Sequence, residues 1–330
     1  MKILLINPQS PKDGLSDQFL QVLKETGNDI LYINERTFWL MPPGFRQIPF
    51  LWRHLRRIGF IRQRNKELLQ KKILQAVDRF KPQLLIVVQG VSIETSTISA
   101  IAAKGVITAN WFFENQTTDF RKEWFKNIES VYDHLFTFDP IIARQGTHGR
   151  TKLHYLPVAV DPRLFENPQR PNSVPTICFI GAHEERREKL LSRVADLGLE
   201  IYGWKGWEKT SLAHLYRGPA SLHETAKLYA FSALNMNINS VPACGGITLR
   251  TFEISAAGGF QISDVRDGLR DCFSEQEVPS FSDDDVREKV VYWLKHPEER
   301  ALAAAAAHKR FLRDHTMAVR VQTLLDAVKS

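Results

Sequence analysis

The chain has 330 residues, 43% apolar and 25% charged, with a formal net charge of +7. That suits two α/β domains of about 150 residues each, with ordinary globular cores. No apolar run reaches the ~18 residues of a membrane-crossing helix, and the apolar stretch near Met1 is too short for a secretion leader.

Short apolar runs alternate with helical patterns along the chain, which is the signature of βαβ units and parallel sheets. In the first half the expected strands are Lys2–Ile6, Ile30–Asn34, Gln83–Val88, Val106–Trp111, His134–Phe138 and Lys152–Leu156. Helices are expected at Leu15–Glu25, Lys66–Phe80, Thr95–Ala103, Asp119–Ile128 and Pro140–Gln145. Leu156–Pro175 holds five prolines without a clear period and reads as a linker. A second series follows: strands Thr176–Ile180, Glu200–Tyr202, Leu234–Ile238, Gly259–Ile262 and Val278–Phe281, with helices Glu185–Asp196, Leu222–Phe231, Leu249–Ala257 and Asp283–Lys295. Pro297–Val328 is Ala-rich and helical, with a register slip near Asp314–Thr316 that splits it into two helices. The expected organisation is one domain over 1–165, a second over 172–310, and a terminal helix over 311–330 that packs back on the first. Two doubly wound units offer their strand C-terminal ends to ligands and place a cleft between them.

Charge and cysteine usage narrow the setting. Between Arg36 and Lys72 there are ten Lys/Arg and one acid, a local +9, so the rest of the chain sums to about −2. Trp39, Phe45, Phe50, Trp52 and Phe60 are interleaved with those cations. The mixture suits an anionic membrane surface or a lipid-linked diphosphate acceptor, and equally a solvated helix face; nucleic acid is not expected. Cys178, Cys244 and Cys272 have no CxxC or metal-type spacing, which fits small buried hydrophobes in a reducing cytoplasm.

Several familiar chemistries are missing. No GxGxxG follows the first strand of either half, and there is no P-loop, GxSxG elbow or HExxH. The informative segment is Ser232–Asp264, SALNMNINSVPACGGITLRTFEISAAGGFQISD. A strand enters a loop holding Gly245 and Gly246, and a helix opens near Ile247–Leu249. Paired glycines before a helix N-terminus let backbone amides approach a phosphate, and the helix dipole favours its charge. Arg250 in the first turn can reach the same anion as a bidentate donor. Glu253, three residues on, shares that face and can accept hydrogen bonds from a ribose diol. An ordinary crossover with a solvent-facing Arg and Glu has the same pattern.

RTFEISAAGGFQISD resembles the R-x-F-E-x-x-A-x-G-x-x-x-x-x-D core of the CgeB-like glycosyltransferases. Leu156–Pro162 (LPVAVDP), Phe179-Ile180-Gly181 with Glu185-Arg186-Arg187, and Phe281-Ser282-Asp283 with His296–Arg300 and His315-Thr316 resemble further motifs of that family, in its order. The resemblance covers roughly Leu156–Arg320. It implies a GT-B architecture: two Rossmann-like domains facing across a cleft, with a nucleotide-diphosphate-sugar held by the C-terminal one. It makes Glu253 the candidate ribose ligand, and Arg250, Gly245, Gly246, Arg186 and Arg187 candidate phosphate ligands near Gly181. Tyr216 falls where such proteins hold the base. Where retaining relatives carry Glu-x7-Glu, Gly245 replaces the first Glu, so no stereochemical outcome carries over.

On the acceptor side, Glu114 follows the strand ending at Trp111 and is the candidate general base, with Asp119 second. His183 in the Gly181 turn is a second candidate base or phosphate donor, or a structural turn residue. Met236 and the pair Trp204 and Trp207 read as packing. Asp283–Asp285 reads as an acidic helix start rather than a metal motif, and no metal or other cofactor is expected beyond the nucleotide sugar as co-substrate. The expected function is glycosyl transfer in cell-surface glycan or glycolipid synthesis, by a cytoplasmic protein with peripheral membrane contact through 36–72. The rivals are a nucleotide-sugar epimerase or hydrolase and a non-catalytic ligand-binding protein.

Overall fold

The apolar runs become parallel strands buried on both faces. The computed structural model describes residues 1–8, 12–37, 40, 58–113, 125–146, 149–166, 168–204, 206–239 and 245–329. In the first half lie β1 (Lys2–Asn7), β2 (Asp29–Asn34), β3 (Leu84–Val88), β4 (Ile107–Phe112), β5 (His134–Thr137) and β6 (Lys152–Tyr155). They form one all-parallel sheet in the order β2-β1-β3-β4-β5-β6. Every residue of β3, LLIVV, is buried, as expected of a strand covered by helices on both faces.

The helices of this half are α1 (Leu15–Glu25), α2 (Gly59–Phe80), α3 (Thr95–Ala102) and α4 (Pro140–Arg144). In α1, Phe19, Val22 and Leu23 recur at helical spacing and are buried, with Asp17 in the first turn and Lys24 in the last, each at its favourable dipole end. Helix α2 starts seven residues before the expected Lys66, because polar residues at Arg62–Lys66 hide its first turns from a hydrophobic pattern. Of the helix expected over Asp119–Ile128, residues 119–124 lie outside the described residues.

The second half holds β7 (Ile177–Ile180), β8 (Leu199–Tyr202), β9 (Leu234–Asn237), β10 (Gln261–Asp264) and β11 (Ser280–Phe281), all parallel in the order β11-β10-β9-β7-β8. Its helices are α5 (Glu185–Ser192), α6 (Leu222–Phe231), α7 (Leu249–Ala256), α8 (Asp267–Cys272), α9 (Val286–Lys295), α10 (Pro297–Asp314) and α11 (Met317–Ala327). Ser221 and Glu224 close α6 with a reciprocal capping box. In both sheets the first strand of the series sits between the second and the third. This strand order creates a switch point, between β1 and β3 and between β7 and β9, where α/β sheets bind ligands.

Two expectations are corrected. The strand expected at Gly259–Ile262 runs instead over Gln261–Asp264. Gly258, at φ +72°, ends α7, and a Cβ on Gly259 would lie 2.0 Å from the Tyr229 carbonyl oxygen, so both glycines are used in the turn. The stretch from Leu156 is no loose linker: Val158, Ala159, Val160 and Phe165 are buried, Val160 bridges to Thr316, and Asp161 caps a short 3-10 turn at Pro162–Leu164. Its apolar residues carry it into the core despite its prolines.

The chain divides into two compact units. One comprises Met1–Phe138, Ile142–Leu156 and Val321–Ser330; the other comprises Asp139–Ile141 and Pro157–Arg320. No described helix is long and apolar enough to cross a membrane.

Candidate functional site

In the second unit a cavity of about 510 Å³ opens at the C-terminal ends of β7 and β8. Ile180, Gly181 and Ala182 leave β7 along one side, and Gly203 and Trp204 leave β8. Thr248, Leu249, Arg250 and Glu253 enter from α7, and Leu222, Thr225 and Tyr229 from α6. The cavity therefore sits beside the β7/β9 switch point.

Arg250 and Glu253 share one face of α7, as i and i+3 must, and both line the cavity. Arg250 Nη1 donates to the Ile238 carbonyl at 3.2 Å, and its guanidinium lies over the Phe179 ring at 5.4 Å. Gly181 makes room for it: a Cβ there would stand 2.8 Å from Arg250 Nη2. Glu253 is half-buried, and burial raises its carboxyl pKa against the opposing pull of Arg250 and a hydrogen bond with Tyr229. The Tyr229 phenol is pushed well up by its own burial and by Glu253. A cation, a carboxyl and a phenol thus meet on one wall.

The start of α7 is held from below. Asp264 Oδ1 accepts from the Asn239 backbone N–H at 2.9 Å and from Asn239 Nδ2 at 2.8 Å. Asn239 Oδ1 in turn accepts from the Thr248 N–H at 3.1 Å. Thr248 is the N-cap, yet its side chain caps nothing, and its Oγ1 is closed off from solvent without a hydrogen-bond partner. An anion at this end would meet the first amides of α7 and Arg250 together.

The remaining sequence candidates are placed elsewhere. Arg186 does not line the cavity; it is held by Asp264 at 2.9 Å and Asp283 at 2.6 Å. Arg187 is buried, with Nε and Nη2 on the Ile238 carbonyl and Nη1 on Ala182 O, and it ties β7 to β9. Burial and the neighbouring Arg250 bring its pKa down to about 10. His183 Nε2 pairs with Glu188 Oε2 at 2.8 Å and packs edge-on to Trp207. Tyr216 donates from its hydroxyl to Gly203 O at 2.9 Å, bracing the loop rather than lining the cavity. Gly245 is buried with its N–H on Asp139 Oδ2 at 3.0 Å, and Gly246 is buried beside it; neither lines the cavity. A Cβ on Gly245 would crowd Asp139 Oδ1 at 2.9 Å, so packing alone requires glycine there. Glu114 and Asp119 lie outside the described residues, as do 38, 39 and 41–57 of the basic segment. Trp207 is fully buried as expected, but Trp204 is a correction: it is 78% exposed on the cavity rim, because the turn after β8 points it away from the core. Thr248 and Tyr229 are not among the candidates that the sequence offers. A threonine just ahead of a helix was a readable signal, whereas Tyr229 looked like any core aromatic. Among the described residues no cluster of three His, Cys, Asp or Glu could hold a metal. Cys178 and Cys272 are buried thiols.

A family model described as glycosyl transferase-like matches residues 186–326, which include most of this cavity. Residues 186–326 are thus similar to the glycosyltransferases. Spore protein CgeB of Bacillus subtilis (strain 168) is 22% identical over 262 residues, spanning 72% of this chain and 80% of that protein. A sucrose-phosphate synthase from Thermosynechococcus elongatus superposes with a TM-score of 0.70 at 13% identity, covering 99% and 98% of the two chains. Anabaena HepE in complex with UDP-glucose gives 0.63 at 10% identity over 100% and 99%. The fold of the chain is thus the GT-B type, built of two Rossmann-like domains.

Proposed function

We propose that this glycosyltransferase takes a UDP-sugar into the cavity between β7, β8 and α7 and passes the sugar to a glycan or lipid-linked acceptor. The observation that carries the reading is the convergence of Thr248, Arg250 and Glu253 on one cavity wall at a switch point. Arg250 and the first amides of α7 neutralise the diphosphate, which also stabilises it as the leaving group. Glu253 accepts from the ribose hydroxyls. Uridine is the first base to test, since HepE was solved with UDP-glucose. Glu114 remains the acceptor-side base on sequence grounds. The local +9 of 36–72 supports work at an anionic membrane surface on the cytoplasmic side, in cell-surface polysaccharide or glycolipid synthesis.

The test is a thermal-shift panel of UDP, GDP, TDP, CMP and their sugar conjugates on wild type and Glu253→Ala. Ligand binding to the folded state raises the midpoint by mass action. A rise with UDP that Glu253→Ala abolishes supports the donor site. A rise that survives Glu253→Ala means the site is elsewhere, and no rise with any nucleotide sinks the reading. UDP release from the UDP-sugar without any acceptor marks an epimerase or hydrolase instead.

A further inference from the structure

We propose that Trp204 is the platform on which the donor's nucleobase stacks. The proposal rests on the reading above that the cavity takes a nucleoside diphosphate sugar.

Trp204 and Trp207 are three residues apart but differ entirely in placement. Trp207 is fully buried, donates from Nε1 to Gly181 O at 2.9 Å and packs on Phe179. Trp204 has no such role and keeps 78% of its surface in water at the cavity mouth. A large aromatic surface left open beside a concave site gains most when a flat, apolar-faced group covers it.

The backbone beneath Trp204 is fixed. Gly203 sits at φ +129°, a conformation that favours glycine, and a Cβ there would lie 2.6 Å from Gly181 O. Its N–H donates to Gly218 O at 2.9 Å, and its carbonyl accepts from the Tyr216 hydroxyl at 2.9 Å. The turn therefore presents the indole from a braced backbone. Pro219, Ala220 and Leu222 line the same cavity with apolar surface. The polar groups, Arg250 and Glu253, ride on α7 instead. The base therefore goes to Trp204 and the apolar wall, leaving the diphosphate and ribose to α7. Stacking on an aromatic face tolerates any base, so Trp204 contributes affinity more than choice among bases.

The test is calorimetric titration of UDP, and separately of inorganic pyrophosphate, into wild type, Trp204→Ala and Trp204→Phe, each checked for an unchanged melting temperature. Trp204→Ala is expected to weaken UDP about tenfold, as loss of one base–aromatic stack does, while pyrophosphate binding holds and Trp204→Phe restores most of the UDP affinity. Undiminished UDP binding by Trp204→Ala would overturn the assignment while leaving the donor site standing. An equal loss of UDP and pyrophosphate would overturn it too, by showing that the residue acts through the phosphate end. Wild type that binds pyrophosphate but no nucleotide, or neither, would sink the donor reading itself.

Discussion

Gly181 gives Arg250 the space that a side chain would fill. A Cβ at 181 would stand 2.8 Å from Arg250 Nη2 and 2.9 Å from Phe179 Cζ, so even alanine must displace the guanidinium or the ring on which it rests. Gly181→Ala is expected to leave the fold intact and lower nucleoside diphosphate affinity about tenfold, the scale of one misplaced charge-assisted hydrogen bond. Titration of UDP into the folded variant checks this; unaltered affinity would show that Arg250 does not meet the ligand.

Glu253 sets stability against binding. Burial raises its folded-state pKa above the ordinary carboxyl value. The folded protein thus holds this proton more tightly than the unfolded chain, so stability falls as pH rises through the raised pKa, and the charged form is a cost at neutral pH. Glu253→Gln removes the charge and keeps a partner for Tyr229. The variant is expected to melt higher than wild type at pH 7.5, with the gain shrinking toward pH 4, while UDP affinity drops about tenfold. Melting curves across that range, paired with titrations, check both halves; a lower melting point at pH 7.5 would contradict the assigned cost.

His315 is a titratable strut. Its Nε2 meets Cys272 O at 2.8 Å and its Nδ1 meets Arg320 Nη2 at 2.8 Å. Burial first, then the charges of Arg320 and Arg310, outweigh the Cys272 carbonyl and Asp314 and bring its pKa down to about 4. The neutral ring is what folds, so its contribution is fully present above the ordinary imidazole pKa of about 6.5 and is lost as pH falls toward 4. The loss is at most about 3 kcal/mol. Urea midpoints at pH 7.5 and 4.5 are expected to differ less in His315→Gln than in wild type. His154, also brought down to about 4 by burial and by His134, leaves a residual pH dependence in both.

Local pattern announced most of the fold, and long-range pairing hid most of the site. The strands are readable as short continuous apolar runs, such as LLIVV in β3, and α1 because its buried apolar residues recur at helical spacing. Arg250 and Glu253 are readable as neighbours because helix geometry fixes i and i+3. Arg186 is different: its partners Asp264 and Asp283 lie 78 and 97 residues away, and no local reading shows that its charge is already matched. The paired glycines were ambiguous for the same reason, since Gly245 answers to Asp139, 106 residues earlier. Trp204 and Trp207 cannot be told apart by type or spacing; the left-handed twist at Gly203 and Gly206 decides which faces water.

The division of the chain also bears on the order of synthesis. The N-terminal unit comprises Met1–Phe138 and Ile142–Leu156 together with Val321–Ser330, whose Val321, Leu324, Leu325 and Val328 are buried. A chain emerging from the ribosome must add some 160 residues of a second unit before the first can receive the apolar side chains of Val321–Val328. Until residue 328 has been made, the first unit lacks the four apolar side chains that this last segment buries.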